Sequence, residues 1–412
     1  MIKIYKLVLI MFLGIFSFSA YSQEDNLDVY LQEAGENNSG LQAAFQQYYA
    51  ALEKLPQAAA LPDPKLSFGY FVSPVETRLG SQQLKMSVSQ MFPWFGTLNE
   101  QEEAFAEKAK VKYQQFLGLR NKVHKDVKVK YYKLYEVKKA IQITKANLDV
   151  LSSLRKITER NYESGKSQMA DVLRLNVDIR EQENKLEDLQ DRMKTLKSEF
   201  NLLLNKEEEH EVIVPADMTL DTFDLATLRD SIRNNPELTA LIHKEQSLQH
   251  QYKVAKKKGF PEISVALDYV VVGERQDMRV ANNGRDVIMP MVGISIPLNR
   301  NKYRSMKKEK EYEMNAVKST QQERINSLGA EYNNAEEAYL ESERKIKLYK
   351  EQVQETQRIY KLLETNYSSD GEDFYELLRT RLMVLEYELK LEKAKAAQNM
   401  AVARLEYLTG KK

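Results

Sequence analysis

The sequence predicts a mainly α-helical chain with a small β part, built as two copies of one plan. Three observations carry that prediction. Between Gly96 and Pro215 there is no proline, and only Gly118 and Gly165 interrupt the run, so little in it can stop a helix. Four short segments alternate apolar with small or polar residues, which is the period of a strand. The two halves also share strings in the same order. Leu31–Leu41 aligns with Leu228–Leu238, and Pro64-Lys65-Leu66-Ser67-Phe68 with Pro261-Glu262-Ile263-Ser264-Val265, both at an offset of 197. Asn161-Tyr162 and Asp171-Val172-Leu173-Arg174 align with Asn366-Tyr367 and Glu376-Leu377-Leu378-Arg379 at an offset of 205. A longer loop over 271–287 in the second copy accounts for the difference. Matches in one order read as a duplication.

Each element follows from local chemistry. Residues 1–22 read as a targeting segment: Lys3 and Lys6 give a basic start, Leu7–Phe18 a short apolar run, and Ala20-Tyr21-Ser22 a small-x-small cleavage site, leaving Gln23 as the mature N-terminus. The first repeat, 23–205, opens with a helix over roughly 28–60. Strands follow at 65–73 and 83–92. Leu66, Phe68, Tyr70 and Val72 face away from Lys65, Ser67 and Gly69, and Leu84, Met86 and Val88 away from Lys85, Ser87 and Ser89. Pro93-Trp94-Phe95-Gly96 makes a corner. Pro93 ends the ladder, Trp94 and Phe95 suit a membrane interface, Gly96 permits the redirection, and Thr97 or Asn99 caps the next helix. That helix, 98–162, carries Phe116, Val123, Val127, Leu134, Val137, Ile141, Leu148 and Leu151 in steps of three, four or seven. At 1.5 Å per residue it is on the order of 100 Å long. Gly165 closes it, residues around Ser167 cap a helix over 167–205, and 206–227 is an equatorial linker.

The second repeat, 228–412, has the same plan: a helix, strands at 262–271 and 287–297, a long helix at 301–367 and a last helix at 372–409. Ile263, Val265, Leu267 and Tyr269 oppose Ser264, Ala266 and Asp268; Ile288, Val292, Ile294 and Ile296 oppose Met289, Gly293 and Ser295. Lys256-Lys257-Lys258 reads as a solvated charge run or as a membrane-proximal helix end.

Composition narrows the function. Cysteine is absent, which excludes a disulfide frame, a thiolate metal site and lipid attachment at an N-terminal cysteine. With 61 basic against 60 acidic residues the chain lacks the basic excess of a nucleic-acid binder. No run reaches the length of a transmembrane helix. Histidines 124, 210, 243 and 250 and the Glu207-Glu208-Glu209 run lack metal-ligand spacing. Neither a nucleophile elbow nor a phosphate loop appears, so no enzyme, cofactor or metal is expected. Four strands with one apolar face suit a lipid-facing barrel wall, yet the smallest membrane barrels need about eight strands. Unpaired edges in lipid cost several kcal/mol per backbone group. The chain is therefore expected to trimerise, giving a twelve-stranded outer-membrane β-barrel continued by a tube of duplicated long-helix hairpins. A half-buried soluble sheet alternates in the same way. A periplasmic or surface coiled-coil scaffold thus stands as the second reading.

Three stretches resemble a known family: Asn161-Tyr162-Glu163-Ser164-Gly165 followed by Asp171-Val172-Leu173, the corner Ser89-Gln90-Met91-Phe92-Pro93-Trp94-Phe95-Gly96, and Asn234-Asn235-Pro236-Glu237-Leu238. The chain looks like an outer-membrane efflux protein of the TolC type over essentially all of its sequence after residue 22. The resemblance implies a trimeric channel in outer-membrane lipid with its helical tunnel in the periplasm. Such a channel docks on a periplasmic adaptor protein and an inner-membrane pump to export small molecules, metal ions or proteins. It implies that the turns at about 162–171 and 367–376 form the tunnel entrance. Tyr162, Gly165 and Gly371 would shape the tip and meet the adaptor. Asp171, Tyr367, Asp370, Glu372, Asp373 and Glu376 would line the gate, with Tyr367 bonding Asp171 to hold it shut. Two departures stand out. The second tip has its glycine one residue out of phase and lacks the basic residue of an arginine lock, and the N-terminal cysteine of acylated members is missing.

Overall fold

The computed structural model describes residues 26–220, 225–370 and 373–410. The targeting segment, Gln23, Gly371 and Glu372 lie outside the described residues. The chain opens with α1 (Asn26–Asn37), α2 (Ser39–Leu52) and α3 (Lys54–Ala59), then β1 (Lys65–Thr77) and β2 (Gly80–Phe92), α4 (Thr97–Glu163) and α5 (Met169–Leu203). After short helical turns at Leu225–Leu228 and Arg229–Asn234 come α6 (Pro236–Lys257), β3 (Glu262–Val272), β4 (Val287–Ser295), α7 (Arg300–Asp370) and α8 (Phe374–Thr409). Both halves run through the same order of elements. The expected first helix over 28–60 is instead three pieces. Asn38 leaves the helix between α1 and α2, where its side-chain amide donates to the Leu203 carbonyl at 3.3 Å, in line with the preference of asparagine for caps and turns.

The chain forms two compact units: residues 1–39, 122–224 and 334–407 make one, and 40–121, 225–333 and 408–412 the other. Each unit draws segments from both sequence repeats, because α4 gives residues 97–121 to one unit and 122–163 to the other.

The first unit buries the apolar seam that the sequence marks. Val123, Val127, Leu134, Val137 and Leu151 of α4 are buried, and Tyr30 of α1 meets Phe200 of α5 edge-on at 5.0 Å. Polar side chains also occupy seam positions. Thr144, Asn147, Thr158 and Asn161 are buried, and Asn147 accepts from the Arg381 guanidinium at 2.7 Å. Thr158 and Asn161 likewise find partners that replace the lost water, whereas the Asn147 amide nitrogen is left without one.

The second unit holds a four-stranded antiparallel sheet in the order β1-β2-β3-β4. Register puts Leu66 opposite Val88, Val88 opposite Leu267 and Leu267 opposite Pro290, so one face is apolar across all four strands. No described element covers that face: Tyr70 is 74% exposed, Val72 89% and Val292 74%. Ser67, Ser87 and Asp268 lie in register on the opposite face, with Ala266 and Gly293 beside them. β1 and β4 are edges with no partner strand among the described residues. β1, β2 and β3 run beyond their predicted bounds, while β4 stops at Ser295, two residues short of the predicted 297. β1 continues past Pro74 through a register shift between Tyr70 and Val75, which an edge strand tolerates because its outer N–H has no partner to lose. No helix of the described residues is long and apolar enough to cross a membrane.

Candidate functional site

The two helix-end turns of the first unit meet. At the end of α4, Gly165 adopts φ 75°, and the Lys166 and Ser167 N–H groups return to the Asn161 carbonyl at 2.8 and 3.3 Å. The left-handed glycine lets the chain reverse while the last carbonyls of the helix stay satisfied. Gln168 then takes the N-cap position of α5, and its N–H donates to the Asp171 carboxylate at 3.1 Å. Asp171 is thus a capping residue, well placed against the positive end of the helix.

The end of α7 lies against this turn. The Asn161 side-chain amide donates to the Tyr367 carbonyl at 3.3 Å, and Lys166 Nζ to the Ser369 carbonyl at 3.0 Å. Tyr367 is 0% exposed; its hydroxyl donates to Thr158 Oγ1 at 3.1 Å and its ring lies 5.5 Å from Phe374. Leu151, Leu154, Leu175, Ile179 and Leu377 complete the apolar cluster around it. The expected Tyr367–Asp171 bond is not formed: the hydroxyl is taken by Thr158, and the carboxylate by the Gln168 N–H. Its repeat-mate Tyr162 is half exposed, so residues matched in sequence have opposite surroundings.

The remaining predicted residues scatter around the tip. Glu376 sits in the first turn of α8, as Asp171 does in α5, and lies 3.7 Å from Arg379. Asp373 is exposed with φ 62°, and its carbonyl accepts from the Leu377 N–H. Asp370 ends α7, and its side chain is outside the described residues. Met169, Leu173, Leu362 and Tyr375 leave apolar surface in water beside the turns. Thr158 and Asn161, which join the two turns, were not among the predicted site residues. Asn161 had a signal in its match to Asn366; a mid-helix threonine has none.

In the second unit the corner after β2 is built as a backbone turn. Gly96 has φ 72°, the Thr97 N–H donates to the Trp94 carbonyl, and the Glu100 N–H opens the helix by donating to the Gly96 carbonyl at 3.2 Å. Neither Thr97 nor Asn99 is the cap. Thr97 is already helical with its hydroxyl buried and unbonded, and Asn99 lies inside the first turn. Pro93 follows the last residue of β2. Trp94 stacks on Phe260 at 5.2 Å, Phe95 is exposed, and Lys257 Nζ donates to the Phe95 carbonyl at 3.1 Å.

Below the corner, α6 is pinned to α4 by two histidine–glutamate contacts one heptad apart: His250 to Glu100 at 2.8 Å and His243 to Glu107 at 2.7 Å. Burial pushes both carboxyls up, but bonds from His250 and Lys253 on Glu100, and from Lys110 and His243 on Glu107, outweigh it and hold both below the ordinary glutamate value. Two of the four histidines are therefore structural partners of carboxylates. Among the described residues no three His, Cys, Asp or Glu side chains gather as a metal site. Within the sheet, Lys85 pairs with the wholly buried Asp268 across β2 and β3.

Residues 227–411 match the family described as outer membrane efflux protein. No curated protein matches the chain by sequence. Solved structures share its fold. VceC, an outer membrane protein of Vibrio cholerae, has a TM-score of 0.76 at 14% identity, over 94% of this chain and 96% of its own. A membrane protein from Pseudomonas aeruginosa has 0.77 at 14%, over 94% and 93%. The outer-membrane channel OprN has 0.75 at 16%, over 94% and 90%.

Proposed function

Because residues 227–411 of this chain match the outer membrane efflux protein family, we propose that it is the exit duct of a tripartite efflux or type I secretion system. It conducts passively, without enzymatic chemistry, from a periplasmic adaptor and inner-membrane pump to the outside. The observation that supports this reading best is the uncovered apolar face of the four-stranded sheet, bounded by two free edges. In water such a face would aggregate; in lipid it is a wall, and only closure on further copies pairs its edges. Three copies make a barrel of twelve strands. The 67 and 71 residues of α4 and α7 are each about 100 Å long at 1.5 Å per residue, enough to carry a tunnel into the periplasm.

On this reading Pro93, Trp94, Phe95 and Gly96 are the joint between barrel and tunnel. Tyr162, Gly165 and Gly371 shape the tip that meets the adaptor. Asp171, Asp370, Glu372, Asp373 and Glu376 line the entrance with negative charge, and Tyr367 holds the two tips together from beneath.

The test is membrane fractionation followed by planar-bilayer recording on the purified protein. A heat-resistant trimer in the outer-membrane fraction with stepwise ion conductance is expected. A water-soluble, elongated protein without conductance would leave the coiled-coil scaffold instead.

A further inference from the structure

The second unit contains a hollow of about 760 Å³ lined by α2, α3, α4, α6 and α7 together. Its floor is apolar, formed by Phe105, Val111, Leu248 and Val317. Its rim is cationic: Lys54, Lys108, Lys112, Lys244 and Lys310 face a single acid, Glu313, which Lys310 engages at 2.9 Å. No ion pair of the described residues involves the other four lysines; Lys108 stands 4.7 Å from the Phe105 ring centroid and Lys54 reaches only Gln57. In a chain whose net charge is only +1, four uncompensated cations around one hollow are a local concentration rather than a general excess. A neighbouring hollow of about 300 Å³ shares Phe105, Lys108 and Lys310, adds Lys258, and adds one acid, Glu309, which Lys310 also engages at 2.9 Å; it extends the same track toward the sheet end of α6.

We infer that this track binds small amphipathic anions, an apolar body bearing a carboxylate or sulfonate, and that such anions are a cargo class of the channel. The volume suits one small organic molecule. The floor takes the apolar body while the lysines supply the charge complementarity. The assignment of a cargo rests on the channel reading, in which these helices form the tunnel wall and the hollow opens to its lumen. Weak, multi-site contact along a track holds a solute without trapping it.

Isothermal titration of the full chain in a non-ionic detergent tests the inference with two matched soluble probes, naphthalene-1-sulfonate and naphthyltrimethylammonium. The sulfonate is expected to bind and the ammonium not. Binding should weaken about tenfold between about 50 and about 500 mM salt, and again by about tenfold or more in K108Q/K112Q/K244Q. Equal binding of both probes, or sulfonate binding unchanged in the triple variant, overturns it. So does a lack of sulfonate binding together with a triple variant that no longer assembles, because the track is then a contact between copies. Calorimetry needs no conductance, so failure of the channel reading in bilayers registers separately.

Discussion

Tyr367 shows how much a single side chain carries at the tip. Its ring is enclosed by the cluster of Leu151, Leu154, Leu377 and Phe374, and its hydroxyl reaches across to Thr158 of α4. The Thr158 hydroxyl also donates to the Leu154 carbonyl at 2.9 Å, so it keeps a partner when Tyr367 loses its own oxygen. Tyr367→Phe should therefore cost only about 0.5–1.5 kcal/mol, whereas Tyr367→Ala leaves a cavity worth about 3–5 kcal/mol. Limited proteolysis of the tip should find the phenylalanine variant near wild type and the alanine variant cut within both turns. Equal protection in all three would mean that the tips are held elsewhere. The repeat match marked Tyr367 in the sequence, and its contact with α4 was not legible, because Thr158 lies within an unbroken helical pattern. Asp171 was marked in the sequence as an entrance carboxylate, and its role as a cap follows from the local backbone without any help from α7.

Among the elements, the long helices were read to within a few residues, since neither proline nor a capping signal interrupts them. The strands were read short at Pro74 because a proline ordinarily ends a ladder; β1 survives it as an edge. The corner before α4 shows what sequence leaves open, since Thr97 looked like a cap and the backbone turn made one unnecessary. Gly96→Ala should cost about 1–2 kcal/mol for the left-handed backbone. Its Cβ would also stand 2.8 Å from Lys257 Nζ, displacing the bond to Phe95. A melting temperature for the purified protein no lower than wild type would remove the corner from the stability of the joint. The α4–α6 contact adds a dependence on pH. Glu100 and Glu107 are held below the ordinary glutamate value of 4.5, so the unfolded chain binds more protons than the folded one as pH falls past that value. Their stabilisation is present above pH 4.5 and is lost as the pH falls through the lowered folded values. Thermal melts between about pH 5 and about pH 3 should therefore fall less steeply in Glu107→Gln than in wild type; parallel slopes would exclude this pair as a source.

At the scale of the whole molecule, the sheet ties function to assembly. The apolar face and the edges of β1 and β4 were both legible in the sequence: the first from alternation, the second from the arithmetic of four strands against the number a barrel needs. What was not legible was the lysine track, whose members come from α3, α4, α6 and α7 and share no sequence neighbourhood. The open edges have a genetic consequence. A copy with a damaged β1 or β4 does not merely lose its own function, because its intact edge still competes for a place in the ring. With equal amounts of sound and damaged chains, only about one in eight trimers would be free of damage. Lesions confined to an edge strand should thus behave as dominant, while lesions that prevent the chain from folding at all, and so keep it out of the ring, should be recessive.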